Sequence, residues 1–244
     1  MSTAPSTAAA SNLRILKSQV HEALYLAKGL NPEDYTNAIP ITAQDGAPSH
    51  TPSVLGELYI RTDSTGVIPT IYRGTSTSSA IWEPVGPYSA AITAASTAVS
   101  ATSTETDFDQ TITLPANLLV QGSVLRVFAQ GIATATNSTD TLTVKLYVGS
   151  TVVATSAAVD VANNDTWVFD FSLTARAAVG ASAACVGAGT GTLGASGTAT
   201  MKHFSLASTN FATNGTLTIK MSATWSSTNA GNSCRLDVLN ATVV

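Results

Sequence analysis

Three segments of the chain alternate apolar and polar residues without a break. Leu142, Val144, Leu146 and Val148 enclose Thr143, Lys145 and Tyr147. Trp167, Phe169, Phe171, Leu173 and Ala175 enclose Val168, Asp170, Ser172 and Thr174. Leu217, Ile219, Met221, Ala223 and Trp225 enclose Thr218, Lys220, Ser222 and Thr224. Period two marks a strand with one buried and one wet face, the habit of antiparallel sheets. Weaker runs predict strands at 111–114, 124–133, 151–159, 182–187, 198–206 and 235–243, with turn signals at Gly149-Ser150, Asn163-Asn164 and Asn214-Gly215. Eight or nine strands over residues 106–244 suit an antiparallel β-sandwich, best arranged as a jelly roll.

Upstream the period changes. Leu13, Leu16, Val20, Ala23, Ala27 and Leu30 recur at spacings of three and four, which predicts an amphipathic helix carrying all six on one seam. Ser11 or Asn12 supplies an N-cap, while Gly29 and Pro32 stop the helix. A helix of about sixteen residues is marginal alone in water. Its seam therefore needs a surface, on this chain, on another copy or on another protein. Residues 56–86 predict three short strands, at 58–61, 70–73 and 81–85, in a unit too small for an independent core. Residues 87–104 read as an uncharged Ala/Ser/Thr-rich spacer. The expected organisation is an arm and helix over 1–40, a small β module over 41–88, a linker over 89–105 and the sandwich over 106–244.

Composition removes several classes of function. Charged residues make up 11 % of the 244, the net charge is -4, and no basic patch offers itself to nucleic acid. The uncharged stretches 84–104 and 177–201 consist mostly of small residues, so neither is expected to span a membrane. The opening MSTAPSTAAAS lacks the basic and apolar regions of a secretory signal. His21, His50 and His203 lie far apart, and none has metal-ligand spacing with a second histidine or a cysteine. Gly189 to Gly194 spells G-x-G-x-x-G, but no amphipathic helix follows, so a glycine-rich loop is expected rather than a dinucleotide site. No G-x-S-x-G elbow occurs, and Asp107 and Asp109, two apart on one predicted strand face, read as solvated. No enzyme activity, cofactor or metal is expected. Four N-x-[ST] sequons, at Asn137, Asn164, Asn214 and Asn240, read as loop asparagines. Cys234 shares its phase with Leu236 and Val238, which points it inward. For Cys185 and Cys234 a buried free thiol, a mutual bridge and an intermolecular bridge all remain open.

Two stretches carry a resemblance. Leu114-Pro115-Ala116-Asn117-Leu118-Leu119, then Gly122 to Val127 and Gly131, resemble the opening of a β-sandwich domain common in virion proteins of tailed bacteriophages. The strands at 140–148, 167–176 and 217–225, the last running into Ser226 and Ser227, fit the same pattern. The unit from Gly56 to Val85 resembles a short module of phage fibre and capsid-associated proteins, through its Gly-x-Leu-Tyr start, Tyr-Arg middle and Trp-Glu-Pro-Val end. The resemblance implies a homotrimer assembled in the host cytoplasm and located in the virion. Its N-terminal region would attach to the particle and its jelly roll would project outward. Two roles fit. One is a capsid decoration, cement or head-fibre protein bound to the major capsid protein. The other is a short tail fibre on a tail or baseplate protein, engaging host-surface glycan with Tyr88, Tyr147 and the loop 163–166 as candidates. A glycan-cleaving enzyme is disfavoured by the lack of a carboxylate constellation.

Overall fold

The structure, a computed structural model, describes residues 40–44, 48–61, 71–80, 82–85, 87–137, 139–194 and 199–244. The amphipathic helix and its seam (Leu13, Leu16, Val20, Ala23, Ala27 and Leu30) lie outside these residues. Everything regular among them is β, and the chain divides into a small unit ending at Trp82 and a large unit that includes Glu83–Val244.

The small unit is one sheet of four strands in chain order: β1 (Ile41–Gln44), β2 (Leu58–Arg61), β3 (Ile71–Gly74) and β4 (Trp82–Pro84). The expected three-stranded module thus gains a strand. β1 runs parallel to β2, from Ile41 opposite Leu58 to Gln44 opposite Arg61. None of its four residues is fully buried, so it leaves no period-two signature. The buried face is aromatic rather than aliphatic. Tyr59, Tyr72 and Trp82 form the core, with Tyr59 edge-on to both Trp82 and Tyr72 at 5.7 and 6.3 Å between centroids.

The large unit runs through β5 (Tyr88–Ala91), β6 (Val99–Ser100), β7 (Thr106–Asp107), β8 (Ile112–Leu114), β9 (Val124–Thr134) and β10 (Thr141–Val148). It continues with β11 (Thr151–Thr155), β12 (Val159–Asp160), β13 (Asp165–Ala175), β14 (Ala183–Gly194), β15 (Thr200–Phe211), β16 (Leu217–Trp225) and β17 (Ser233–Val243). Two antiparallel sheets result. One has the order β11-β10-β16-β7, with β12 also on β10 and β8 also on β16. The other has the order β15-β14-β13-β9-β17-β5, with β6 also on β17. The three cleanly alternating segments are β10, β13 and β16, and every residue expected to face inward is buried. Trp167, Phe169, Phe171 and Trp225 anchor the core, each contributing roughly 1.5–3 kcal/mol by burial.

Three expectations are corrected. The stretch 89–105 is not a free linker: β5 and β6 pair with the last strand, from Tyr88 opposite Val243 to Ala91 opposite Asn240, and at Val99 opposite Cys234. Tyr88 and Val99 join the core. Small residues that look like spacer become strand when an edge is available to pair with. The Gly189–Gly194 run is not a loop either, but the second half of the twelve-residue β14. A Cβ at Gly189 would stand 2.3 Å from the Asp170 carbonyl oxygen, and one at Gly191 2.7 Å from the Phe204 ring. Phe204 stacks on Phe169 at 5.1 Å, across the place that a larger side chain at Gly191 would occupy. A bulge between Leu236 and Val238 shifts the phase of β17, so Val238 is exposed while Leu239, Ala241 and Val243 face inward.

Candidate functional site

The densest polar arrangement of the sandwich lies on the outer face of the β10–β16 pair. Lys145 stands opposite Ser222 and Tyr147 opposite Lys220, so the four outward side chains form a square. β7 pairs with β16 at Ser222 and Ala223, which brings Glu105 and Asp107 to its border. The Glu105 carboxylate reaches over β16 and accepts from Lys145 Nζ at 2.6 Å, Ser222 Oγ at 2.7 Å and the Tyr147 hydroxyl. Asp107 accepts from Lys220 Nζ at 2.6 Å, and that ammonium lies 4.9 Å from the centre of the Tyr147 ring. Glu105 covers Ser222, which is why this outward residue is fully buried.

Charges balance within the square: two carboxylates meet two ammonium groups. Burial works against the Glu105 anion, but the bonds from Lys145, Tyr147 and Ser222 outweigh it and hold its pKa at about 2. Burial and the Glu105 anion push the Tyr147 hydroxyl up, and the bond to Glu105 raises Lys145. A carboxylate saturated with donors and ionised far below neutral pH is poorly placed to move protons. It is well placed to clamp the two-residue β7 onto the sheet. Beside it, an open groove of about 240 Å³ is lined by Thr97, Val99, Ser100, Thr106, Asp107 and Asp109. Asp109 accepts from the Thr97 N–H and Oγ at 3.0 and 2.7 Å, which closes one wall of the groove and holds the carboxyl below its ordinary range.

The small unit has its own knot. Glu57, 3 % exposed, accepts from the Ser53 N–H at 2.6 Å and Ser53 Oγ at 2.8 Å, and meets His50 Nε2 at 3.0 Å. Burial raises its pKa, but these bonds prevail and hold it below the usual carboxylate range. His50 leans on Trp82 at 4.9 Å and accepts the indole N–H on its own carbonyl at 2.8 Å. The knot thus ties the segment before β2 to the aromatic core.

Tyr88 is buried and donates its hydroxyl to the Thr113 carbonyl at 3.3 Å. Tyr147 belongs to the clamp, with its ring under Lys220. Of residues 163–166, the first two form a tight turn, in which Asn164 takes φ of 60° and donates its N–H to Thr134 Oγ1, and the last two begin β13. Asp107 and Asp109 are exposed and bond to different partners. His203 is exposed on β15. Among the described residues no three His, Cys, Asp or Glu side chains converge on a metal position. No helix there is long and apolar enough to cross a membrane.

Cys185 and Cys234 are both buried and free. The bridge left open by the sequence is excluded by position: β13 and β9 lie between their strands. Cys185 pairs with Ala175, at one end of β13, whereas Cys234 pairs with Ala133, which faces Asp165 at the other end. At about 3.3 Å per residue and 4.8 Å per strand they are tens of ångströms apart, against a disulfide limit near 7 Å. Burial pushes both thiols up.

Missed by sequence reasoning were Glu105 and Glu57. Each is a carboxylate beside a short strand; Glu105 takes its partners from 40 to 117 residues away, whereas those of Glu57 lie 4 to 15 residues before it.

No family model matches the sequence, and no curated protein matches it. Among solved structures, one of infectious bursal disease virus Gt strain aligns with 75 % of this chain at 15 % identity and a TM-score of 0.32. The infectious bursal disease virus VP2 subviral particle aligns with 78 % at 12 % identity and a TM-score of 0.33. The chain spans 40 % and 38 % of the length of those two. The CBM2 module of the evolved Dit of Lactobacillus casei BL23 phage J-1 aligns with 54 % at 11 % identity and a TM-score of 0.26, with 67 % of that module covered. Scores of this size do not establish a shared fold.

Proposed function

We propose that this chain is a non-enzymatic virion structural protein of a tailed bacteriophage. It is a trimeric decoration protein, of the cement or head-fibre kind, that attaches to the major capsid protein through its N-terminal region and projects its sandwich. The observation that carries the reading is the outer face of the larger sheet. On the adjoining long strands β14, β13, β9 and β17 its charged side chains are Arg126, Asp170, Arg235 and Asp237. These pair among themselves, at 3.9 and 2.6 Å. Between them lie Val124, Phe128, Ile132, Val168 and Val186, half-buried and set among small residues. The sheet ends in β15, twelve residues long and mostly exposed, whose outer edge has no strand partner among the described residues. A charge-poor face beside a long edge suits burial against copies of the same chain. The threefold number and the phage setting come from the resemblance of 114–131 and 56–85, not from this face.

The tail-fibre reading gains nothing comparable, since Tyr88 is buried and the Tyr147 ring and hydroxyl are both occupied. Light scattering on the purified chain is expected to give three copies; a monomer at micromolar concentration overturns the proposal. Deleting residues 1–40 is expected to abolish binding to undecorated heads while the sandwich stays folded. If the deleted protein still binds heads, attachment lies elsewhere.

A further inference from the structure

One end of the sandwich carries a polar layer that neither the clamp nor the proposed assembly uses. Three inward positions there are polar: Asp140 is 4 % exposed, Asp165 6 % and Asn232 0 %. Each keeps the phase of the core residues that follow it: Asp140, just before β10, that of Leu142 and Val144; Asp165, at the start of β13, that of Trp167 and Phe169; Asn232, just before β17, that of Cys234 and Leu236. Contacts join them in a ring. The Val161 N–H donates to the Asp140 carbonyl, and the Ala135 N–H to the Ala162 carbonyl. The Ser226 N–H donates to the Thr141 carbonyl, and Asn232 Nδ2 to the Ser227 carbonyl. Pairing of Thr134 with Ser233 sets Asn232 beside Ala135 and closes the circuit. Asp140 on one sheet and Asn232 on the other therefore stand on opposite sides of one ring, across a gap of about 10 Å between layers.

Two oxygens in this layer, Asp140 Oδ2 and Asn232 Oδ1, are shielded from solvent and have no hydrogen-bond partner. Asp165 uses one oxygen to accept the Ala162 N–H at 2.9 Å. Among the described residues no Lys, Arg or His pairs with Asp140 or Asp165. A water molecule would satisfy two orphaned acceptors. It would not neutralise two carboxylates more than nine-tenths buried, and buried charges are paired or bind metal. Both orphans are hard oxygens, the donors that calcium-class ions select.

We propose that this end of the sandwich binds a hard divalent cation of the calcium class. Asp140 and Asn232 ligate it, and Asp165 supplies the second negative charge. The ion ties together the loops that follow β9, precede β13 and precede β17. The site takes an amide oxygen where a third carboxylate would otherwise stand.

The test uses the full chain, stripped with EDTA and titrated with calcium chloride. Thermal denaturation is expected to shift upward by about 5 °C at saturation. Terbium is expected to luminesce by energy transfer from Trp225, which adjoins Ser226 of the ring, and to be displaced by calcium. Asp140→Asn should weaken calcium at least tenfold. Asn232→Asp, which adds a carboxylate, should tighten it about tenfold and keeps the test valid if the first variant does not fold. An unfolding temperature unmoved by calcium overturns the proposal, as does calcium binding that neither substitution alters.

Discussion

Gly131→Ala tests the packing of the larger sheet at its tightest point. Gly131 sits in β9, paired with Trp167 on one side and Leu236 on the other. A Cβ there would lie 2.0 Å from the Arg235 carbonyl oxygen and 2.4 Å from Trp167 Cζ2. The carbonyl belongs to the paired backbone of β17, and the fully buried indole stacks on Phe108 at 6.0 Å, so neither neighbour can swing away. Overpacking ordinarily costs 1–3 kcal/mol. Obstruction by backbone on one side and a locked indole on the other puts this case at about 3 kcal/mol or above. At 2–4 °C per kcal/mol for a unit of this size, the unfolding midpoint should fall by about 10 °C. Gly180→Ala is the control, because its new Cβ meets nothing closer than the Ala178 carbonyl oxygen at 3.9 Å. It should stay within about 0.5 kcal/mol of the parent. Thermal denaturation followed by circular dichroism reads both. A Gly131→Ala midpoint within 2 °C of the parent would refute the described contact between β9, Trp167 and β17.

Glu105→Gln should cost about 1–2 kcal/mol at neutral pH, a figure kept low because the carboxylate is about a third exposed and screened. Its pKa is about 2 folded against an ordinary 4.5, so the parent's advantage is complete above pH 4.5 and should vanish as pH falls toward 2; a gap that persists at pH 2 contradicts the clamp. Ellman's reagent should find no reactive thiol in the native chain and two after denaturation, since Cys185 and Cys234 are free and buried; one or none after denaturation would mean a bridge. Glu57→Gln should loosen the segment before β2, read as faster amide exchange at Ser53, because only an anionic carboxylate offers acceptors alone to the Ser53 N–H, Ser53 Oγ and His50. Unchanged exchange there would remove the knot's structural role.

The sandwich was legible wherever a strand has one wet face. β10, β13 and β16 announce themselves because their outer positions, Tyr147 and Val168 apart, are Thr, Lys, Ser or Asp, and their inner ones are apolar and mostly large. Legibility fails for two physical reasons, both visible in β14. Its outer positions are Ala, Val and Thr, and its inner ones include Gly189 and Gly191, so neither face differs enough from the other to show a period. What makes it a strand is the bulk of Phe171 and Phe204 on its neighbours β13 and β15, and a glycine's spatial neighbours are not written beside it in the sequence. β5 and β6 fail for a related reason: Ala and Ser become strand there only because β17 offers an edge. The functional candidates follow the same rule. Glu105 meets Lys145 and Ser222 across separations of 40 and 117 residues. Asp140 and Asn232 share a ring only because two sheets stack. Residue types can be screened for local motifs, and the Gly189–Gly194 motif is accounted for by packing inside β14. The chain's chemistry is held by isolated polar residues, each unremarkable in its own segment: Glu105 takes its counter-charge from Lys145, 40 residues on, whereas Asp140 and Asp165 are buried with none among the described residues.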